Sequence, residues 1–271
     1  MENSYGLKSV IIVTGGCGDI GRAITRKLAA LGARVIVFDL LEEDAGSRQV
    51  RELGAVDYLC VDQGNDEQVQ GGVAQVVENF GRLDVMIGNA AVGTVGGLLD
   101  HTAADWENTL RVNLIGCAML AQAAARQMIG QSPDADGIRG KILFTSSWVS
   151  SSPYPGSIDY CASKAGLDHL VRLIAQEFAG QGIRANAVAP GILDAGLTPA
   201  AIEQKPELLD AMLASIPLEE LGTPDQVADA FVFLCSRQSN YMTGQVMFVD
   251  GGSEYGKSFG NRLFQVLFSY P

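Results

Sequence analysis

Near its start the chain carries a stretch that leaves few folds open. Val10-Ile11-Ile12-Val13, opened by Ser9, is a short β-branched apolar run. Such a run predicts a strand buried on both faces. It passes directly into Thr14-Gly15-Gly16-Cys17-Gly18-Asp19-Ile20-Gly21. After the glycines, Ala23, Ile24, Leu28 and Leu31 fall at helical spacing, with Gly32 as the stop. Strand, glycine turn and helix form the setting a phosphate-binding turn requires. Glycines let a pyrophosphate approach the backbone, and the helix start offers N–H groups and positive dipole. A second strand, Arg34 to Phe38, ends at Asp39. That acid falls about 20 residues beyond the turn, where a ribose-binding carboxylate belongs. Gly15, Cys17, Asp19, Ile20, Gly21, Asp39 and Leu40 are therefore candidate dinucleotide contacts.

The rest of the chain keeps alternating strand and helix. A helix is expected over 41–54, a strand over 56–61 ending at Asp62-Gln63, and a helix over about 66–80 closed by Gly81. LDVMIG predicts a strand running into Asn89-Ala90-Ala91. One long helix is expected over roughly 103–130, with Asn113 in its middle. A polar loop at 131–140 leads to the strand KILFTSS, and a helix at about 158–179 follows. A sixth strand around ANAVA ends at Pro190-Gly191. Residues 192–220 read as irregular or weakly helical, a mobile lid over a site. Pro224 to Ser236 predicts a helix and QVMFVD a last strand. The alternation implies an α/β fold: a Rossmann-like doubly wound parallel sheet of about seven strands, helices on both faces, in one domain over 1–253. Ligands bind such sheets at the carboxyl ends of the strands.

Composition narrows the function classes. The chain has 271 residues, 47% hydrophobic and 18% charged, and a net charge of −12. Strong acidity argues against nucleic acid and anionic membrane as partners. Five scattered cysteines without a CxxC pair suit a reducing compartment, and no cluster has metal-ligand spacing. Neither a signal peptide nor an apolar run near ~20 residues is evident, so a soluble cytoplasmic protein is expected.

The chemistry is expected in the stretch containing Ser147, Tyr160 and Lys164. Tyr160 and Lys164 stand four apart, on one helical face. A phenol with a pKa of about 10 is a poor acid at neutral pH. A neighbouring ammonium favours the phenolate by up to ~4 kcal/mol at ~4 Å and an effective dielectric near 20. A tyrosine so placed exchanges a proton with an alcohol or carbonyl oxygen, and Ser147 can donate to the same oxygen.

Together these motifs resemble the short-chain dehydrogenase/reductase family over about residues 8 to 253. They are the turn at 14–21, Asn89-Ala90-Ala91, Asn113, Ser147, Tyr160-x3-Lys164, Pro190-Gly191 and Val249-Asp250-Gly251-Gly252. The resemblance implies Tyr160 as acid/base, with Lys164 lowering its pKa and holding the nicotinamide ribose. It implies Ser147 as the group orienting the reacting oxygen and Asn113 as holder of a relay water. Asp62, with Gln63 beside it, would meet the adenine, Asn89, Ala90 and Ala91 the adenosine side, and Pro190, Gly191 and Leu193 the nicotinamide side.

Three positions depart from the family pattern. Asp19 stands where TGxxxGxG has its middle glycine, and the string also fits TGxxGxxG of epimerase-like members. An Asp there would cap the helix or repel a pyrophosphate. Asn-Ala-Ala replaces Asn-Ala-Gly, and Ala195 stands where a threonine often holds the carboxamide, with Thr198 as the nearest substitute.

The expected activity is NAD-dependent hydride transfer with a secondary alcohol or ketone, a polyol, sugar or small hydroxy compound by family prevalence. Arg22 is expected to face away from the ribose and Leu40 to add no charge, so Asp39 should select NAD. Trp148 and Tyr154, the Gly93–Gly97 loop and residues 192–215 would surround the substrate beside Ser147 and Tyr160. Alternatives are 3-oxoacyl-[acyl-carrier-protein] reduction, sugar-nucleotide epimerisation, which lacks its extra domain here, and a non-catalytic dinucleotide sensor. The resemblance implies a homotetramer, which apolar helix faces and low charge fit, with the extension 254–271 expected at a subunit interface.

Overall fold

A computed structural model describes residues 9–196 and 198–255. Among them seven strands form one sheet: β1 (Val10–Thr14), β2 (Arg34–Asp39), β3 (Asp57–Cys60), β4 (Val85–Gly88), β5 (Gly140–Thr145), β6 (Ile183–Pro190) and β7 (Val246–Val249). Every pairing is parallel, in the order β3-β2-β1-β4-β5-β6-β7. From β1 the chain winds outward to β3, then returns to place β4 on the other side of β1. The strand order reverses there, which opens a crevice at the carboxyl ends of β1 and β4.

Helices cover both faces. Those on one side are α1 (Asp19–Ala30), α2 (Glu43–Glu52) and α9 (Pro224–Cys235). On the other lie α3 (Asp66–Phe80), α5 (Cys117–Gly130) and α6 (Ile158–Phe178). Strand residues alternate between the two cores, as a period of two requires. Ile11, Val13, Val35 and Val37 pack with Ile24, Leu28 and Phe231. Val10, Ile12, Ile36 and Phe38 pack with Val73, Leu120 and Leu167. Each such side chain, fully buried, contributes about 1.5–3 kcal/mol. Local signals set the helix ends. Asn65 accepts from the Gln68 N–H to start α3, and Gly81 ends it at φ 79°. Thr223 and Gln226 form a capping box at α9, whose first residue is Pro224.

The expected single helix over 103–130 is instead three pieces. α4 (Ala103–Leu110) passes into a π-helical turn, Arg111–Gly116, and then into α5. A π turn inserts one residue, and tertiary contacts stabilise it here. The Asn113 side chain accepts from the Val92 N–H at 2.9 Å and donates to the Val92 carbonyl at 2.7 Å. Three residues on, a Cβ at Gly116 would lie 2.5 Å from the Gln63 carbonyl. Residues 192–220 hold two short helices, α7 (Thr198–Gln204) and α8 (Glu207–Ser215). Leu208 and Met212 of α8 form a small third core with Tyr154, Ile192 and Ile202. Among the described residues, no helix is long and apolar enough to cross a membrane. The extension expected at 254–271 lies outside the described residues beyond Tyr255.

Candidate active site

The glycine turn lies at the carboxyl end of β1 and is built by close backbone approach. Gly15 has φ 61°, and its N–H donates to the Phe38 carbonyl at 2.8 Å. A Cβ at Gly15 would stand 2.8 Å from Ala90 Cα, and one at Gly21 only 2.1 Å from the Gly15 carbonyl oxygen. Glycine is required at both positions. Gly18 and Asp19, at the α1 N-terminus, are exposed. The first-turn N–H groups there have no partner within the helix.

Asp39 closes this turn from the end of β2. Its Oδ2 accepts from the Cys17 N–H at 2.9 Å and its Oδ1 from the Leu40 N–H at 2.7 Å. Gln49 donates to the Cys17 carbonyl at 2.9 Å, so the turn is braced on both sides. Burial, then the Asp39 charge, pushes the Cys17 thiol up to about 12, while Arg22 acts in the opposite sense. Arg22 is exposed, but its charge reaches the turn. Position 22 lies in the first turn of α1, as the apolar spacing predicted.

Asp19 does not cap α1. Gly18 is the N-cap, without a side-chain bond, and Asp19 is the first helical residue. Its Oδ2 accepts instead from the Gly196 N–H at 2.8 Å, joining the turn to the segment after β6.

Behind the turn lies a buried polar network that the sequence did not announce. Thr14 Oγ1 donates to Gln63 Oε1 at 2.5 Å and accepts from the N–H groups of Asn89 and Ala90 at 2.9 and 3.1 Å. Gln63 Nε2 donates to the Ala90 and Val112 carbonyls at 3.1 and 2.9 Å. The Gln63 side chain is therefore committed to bracing the sheet ends, not to a ligand. Asn89 Nδ2 donates to the Thr14 and Gly15 carbonyls, and Thr145 Oγ1 donates to Asn89 Oδ1. Asp62 accepts from the Gly64 N–H at 2.7 Å and pairs with Arg111 at 3.1 Å. Arg111 is a cation beside Asp62 that spacing alone did not reveal.

At the end of β5 the reactive set comes together. Lys164 is 1% exposed; its Nζ donates to the Thr145 carbonyl at 2.8 Å and sits 5.4 Å from the Tyr160 ring centroid. That is within cation–π range, and two ammonium hydrogens remain for other acceptors. Ser147 is buried at the strand end, its Oγ accepting from the Val149 N–H at 3.4 Å. Asn113 Nδ2 donates to Ser163 Oγ as well as to Val92, so both amide hydrogens are committed. A water held by Asn113 must therefore donate to one of its oxygens. One turn beyond Lys164, buried Asp168 accepts from Ser146 Oγ and, at 2.5 Å, from Ser150 Oγ. Burial raises its pKa against those two bonds. Asp168 fixes the residues on either side of Ser147; its spacing of four from Lys164 was the available signal.

Gly93 lies against Tyr160, where a Cβ would come within 3.1 Å of the Tyr160 side chain. Trp148 is 4% exposed and meets Tyr154 edge-on at 5.7 Å. Tyr154 in turn packs on Leu208 and Met212. The two aromatics thus support α8 from below. Pro190 ends β6, and a Cβ at Gly191 would lie 2.5 Å from Asp250 Cα, which explains the pairing of Pro-Gly with Asp-Gly-Gly. Leu193 is buried and bridges to Gly222.

A family model described as enoyl-(acyl carrier protein) reductase matches residues 17–254. The 3-oxoacyl-[acyl-carrier-protein] reductase of Thermotoga maritima is 36% identical over 247 residues, covering 90% of this chain and 96% of that protein. This chain belongs to the short-chain dehydrogenase/reductase family. Among solved structures, gox2181 superposes with TM-score 0.85 at 34% identity, covering 94% of this chain and 100% of that one. NAD+-bound xylitol dehydrogenase superposes with TM-score 0.84 at 27% identity, covering 91% and 99%. As in any short-chain dehydrogenase/reductase, the residues present fit a nicotinamide dinucleotide. Its cradle is the turn from Gly15 to Gly21, where a Cβ at Gly15, Gly16 or Gly21 would collide with a neighbour, with the Asp39 carboxylate beside it. The Asp19 carboxylate, exposed at the start of α1, would oppose a pyrophosphate there.

Proposed function

We propose that this protein is an NAD(H)-dependent oxidoreductase acting on a secondary alcohol or ketone, with Tyr160 as general acid/base. The observation that carries the reading is the Lys164 ammonium held 5.4 Å from the Tyr160 ring by the Thr145 carbonyl. When bound, the nicotinamide supplies or accepts the hydride at the carbinol carbon. In reduction, Tyr160 Oη gives its proton to the carbonyl oxygen while Ser147 Oγ–H donates to the same oxygen. Lys164 stabilises negative charge on the phenol oxygen and binds the nicotinamide ribose with its remaining hydrogens. A water on an Asn113 oxygen returns the proton through Lys164. Asp39 receives the adenosine ribose hydroxyls. Asp62, Asn89, Ala90 and Ala91 line the adenosine side, and Pro190, Gly191 and Leu193 the nicotinamide side.

A second reading is reduction of a 3-oxoacyl thioester. The Thermotoga maritima relative bears that name. The site rim also exposes Val95, Leu98, Leu99 and Leu218, which suits an apolar chain. We place the protein in the cytoplasm, in keeping with five unpaired thiols, one of them exposed. Absorbance at 340 nm with both cofactors tests the proposal. Oxidation of polyols and secondary alcohols with NAD+ supports the first reading. Reduction of an acetoacetyl thioester in preference to simple ketones supports the second. No turnover across both panels removes the enzymatic reading.

A further inference from the structure

His101 and Asp159 form a buried pair beside Tyr160 that no step above uses. Both side chains are 0% exposed, and His101 Nε2 lies 3.1 Å from Asp159 Oδ1. His101 Nδ1 is 2.9 Å from the Gly97 carbonyl, so it must carry a hydrogen. Nε2 lies against the Asp159 carboxylate without the alignment of a full hydrogen bond. An unprotonated Nε2 would sit 3.1 Å from a carboxylate oxygen, two acceptors in contact. The carboxylate has little reason to take the proton itself. Its Oδ1 accepts from the Tyr160 N–H at 2.7 Å, and its Oδ2 from Thr109 Oγ1 at 2.6 Å and the Thr94 N–H at 3.2 Å. With both oxygens accepting, the arrangement favours the carboxylate anion on Asp159 and a proton on His101.

The pair joins three parts of the site. His101 ends the loop whose Gly93 lies on Tyr160 and whose Gly96 bridges to Ser157. Asp159 occupies the first turn of α6 and immediately precedes Tyr160. Thr109 belongs to α4. The charged groups around the imidazole are acids: Asp159 from α6, Asp105 from α4 and Asp100 beside it on the loop. The Trp106 ring lies 6.3 Å away.

We propose that His101 is a positioning residue. Held as an imidazolium between the Gly97 carbonyl and the Asp159 carboxylate, it clamps the 94–101 loop onto the first turn of α6 and sets Tyr160 against the substrate. The bond to Gly97, against the cost of burial and with help from Asp159, raises the imidazole pKa. The catalytic part of the inference rests on the function proposed above; the clamp itself does not.

The chain has two histidines, and His169 is exposed, so nitrogen-15 histidine labelling gives two separable signals. The expected result is His101 protonated on both nitrogens at pH 7. On raising the pH through its titration, the protection factors of the Tyr160 and Thr94 amides, taken against intrinsic exchange, fall. Turnover with acetoacetyl thioester or a secondary alcohol should fall along the same curve. His101→Gln should lower kcat at least tenfold, leave the NADH dissociation constant unchanged and lose that alkaline limb. A neutral His101 tautomer at pH 7 overturns the proposal. So does a folded His101→Gln with wild-type kcat and pH profile. Should that variant not fold, the wild-type titration and amide exchange decide. Should no substrate be turned over, the function reading fails while the same spectra still read the clamp.

Discussion

The Asp19 carboxylate accepts a hydrogen bond from the Gly196 N–H at 2.8 Å. One end of this contact is the first turn of α1, the helix proposed to receive the pyrophosphate. The other is the segment between β6 and α7, on the proposed nicotinamide side. Asp19 therefore does two opposed things: it anchors that segment and places negative charge at an anion site. Asp19→Asn keeps an oxygen for the Gly196 N–H and removes the charge. It should tighten NADH binding severalfold and weaken the salt dependence of that binding, measured by fluorescence titration at two ionic strengths.

Removing the Tyr160 oxygen should abolish turnover and spare the cofactor site. General acid/base help is worth ~10²–10⁴ in rate. Tyr160→Phe should fall within that range in kcat, with the NADH dissociation constant within twofold of wild type. Retention of more than about a tenth of kcat would remove Tyr160 from the proton transfer.

Asp39 should decide the cofactor. A 2′-phosphate near its carboxylate costs up to about 3 kcal/mol per charge at ~5 Å and an effective dielectric near 20. The wild type should prefer NAD over NADP by at least about tenfold in kcat/KM, and Asp39→Ala should lose the preference. Asp39→Ala also leaves the Cys17 N–H without its acceptor, so its melting temperature should drop; Asp39→Asn should keep more of it.

The buried pair sets a pH window for stability. The His101 pKa is raised above 6.5, so its contribution is complete below 6.5 and fades as pH rises through the folded value. Asp159 is lowered below 3.8: burial works against the shift, and bonds from Thr109, Tyr160 and Thr94 outweigh it. Its contribution is complete above 3.8 and fades as pH falls through the folded value. The pair stabilises fully between those two ordinary values. The difference in melting temperature between wild type and Asp159→Asn should be largest there and shrink on the alkaline side.

Assembly should bury the outward face of the π turn and α6. Ile115 is 54% exposed and Leu173 50% exposed, while Leu114 packs inward on Gly166. Light scattering at micromolar concentration should give a homotetramer. Ile115→Lys with Leu173→Lys should reduce its mass without unfolding the protomer.

Short-range chemistry made much of this protein legible in its sequence. The β1–turn–α1 unit, Asp39 at a strand end, and Tyr160 with Lys164 four residues on depend on backbone periodicity and glycine geometry, which neighbours in the chain set. Gly81 marks a helix end for the same reason. What the fold alone decided involves groups far apart in sequence. Asp19 meets Gly196, Thr14 meets Gln63 and Asn89, and His101 meets Asp159. The π turn at Arg111–Gly116 belongs with these, because Val92 and Gln63 hold it and no local pattern encodes an extra residue in a helix. A buried polar group takes whichever partner the packing delivers, and unpaired it costs about 1–3 kcal/mol. Propensity and period carry no information about that partner until the strands have been ordered.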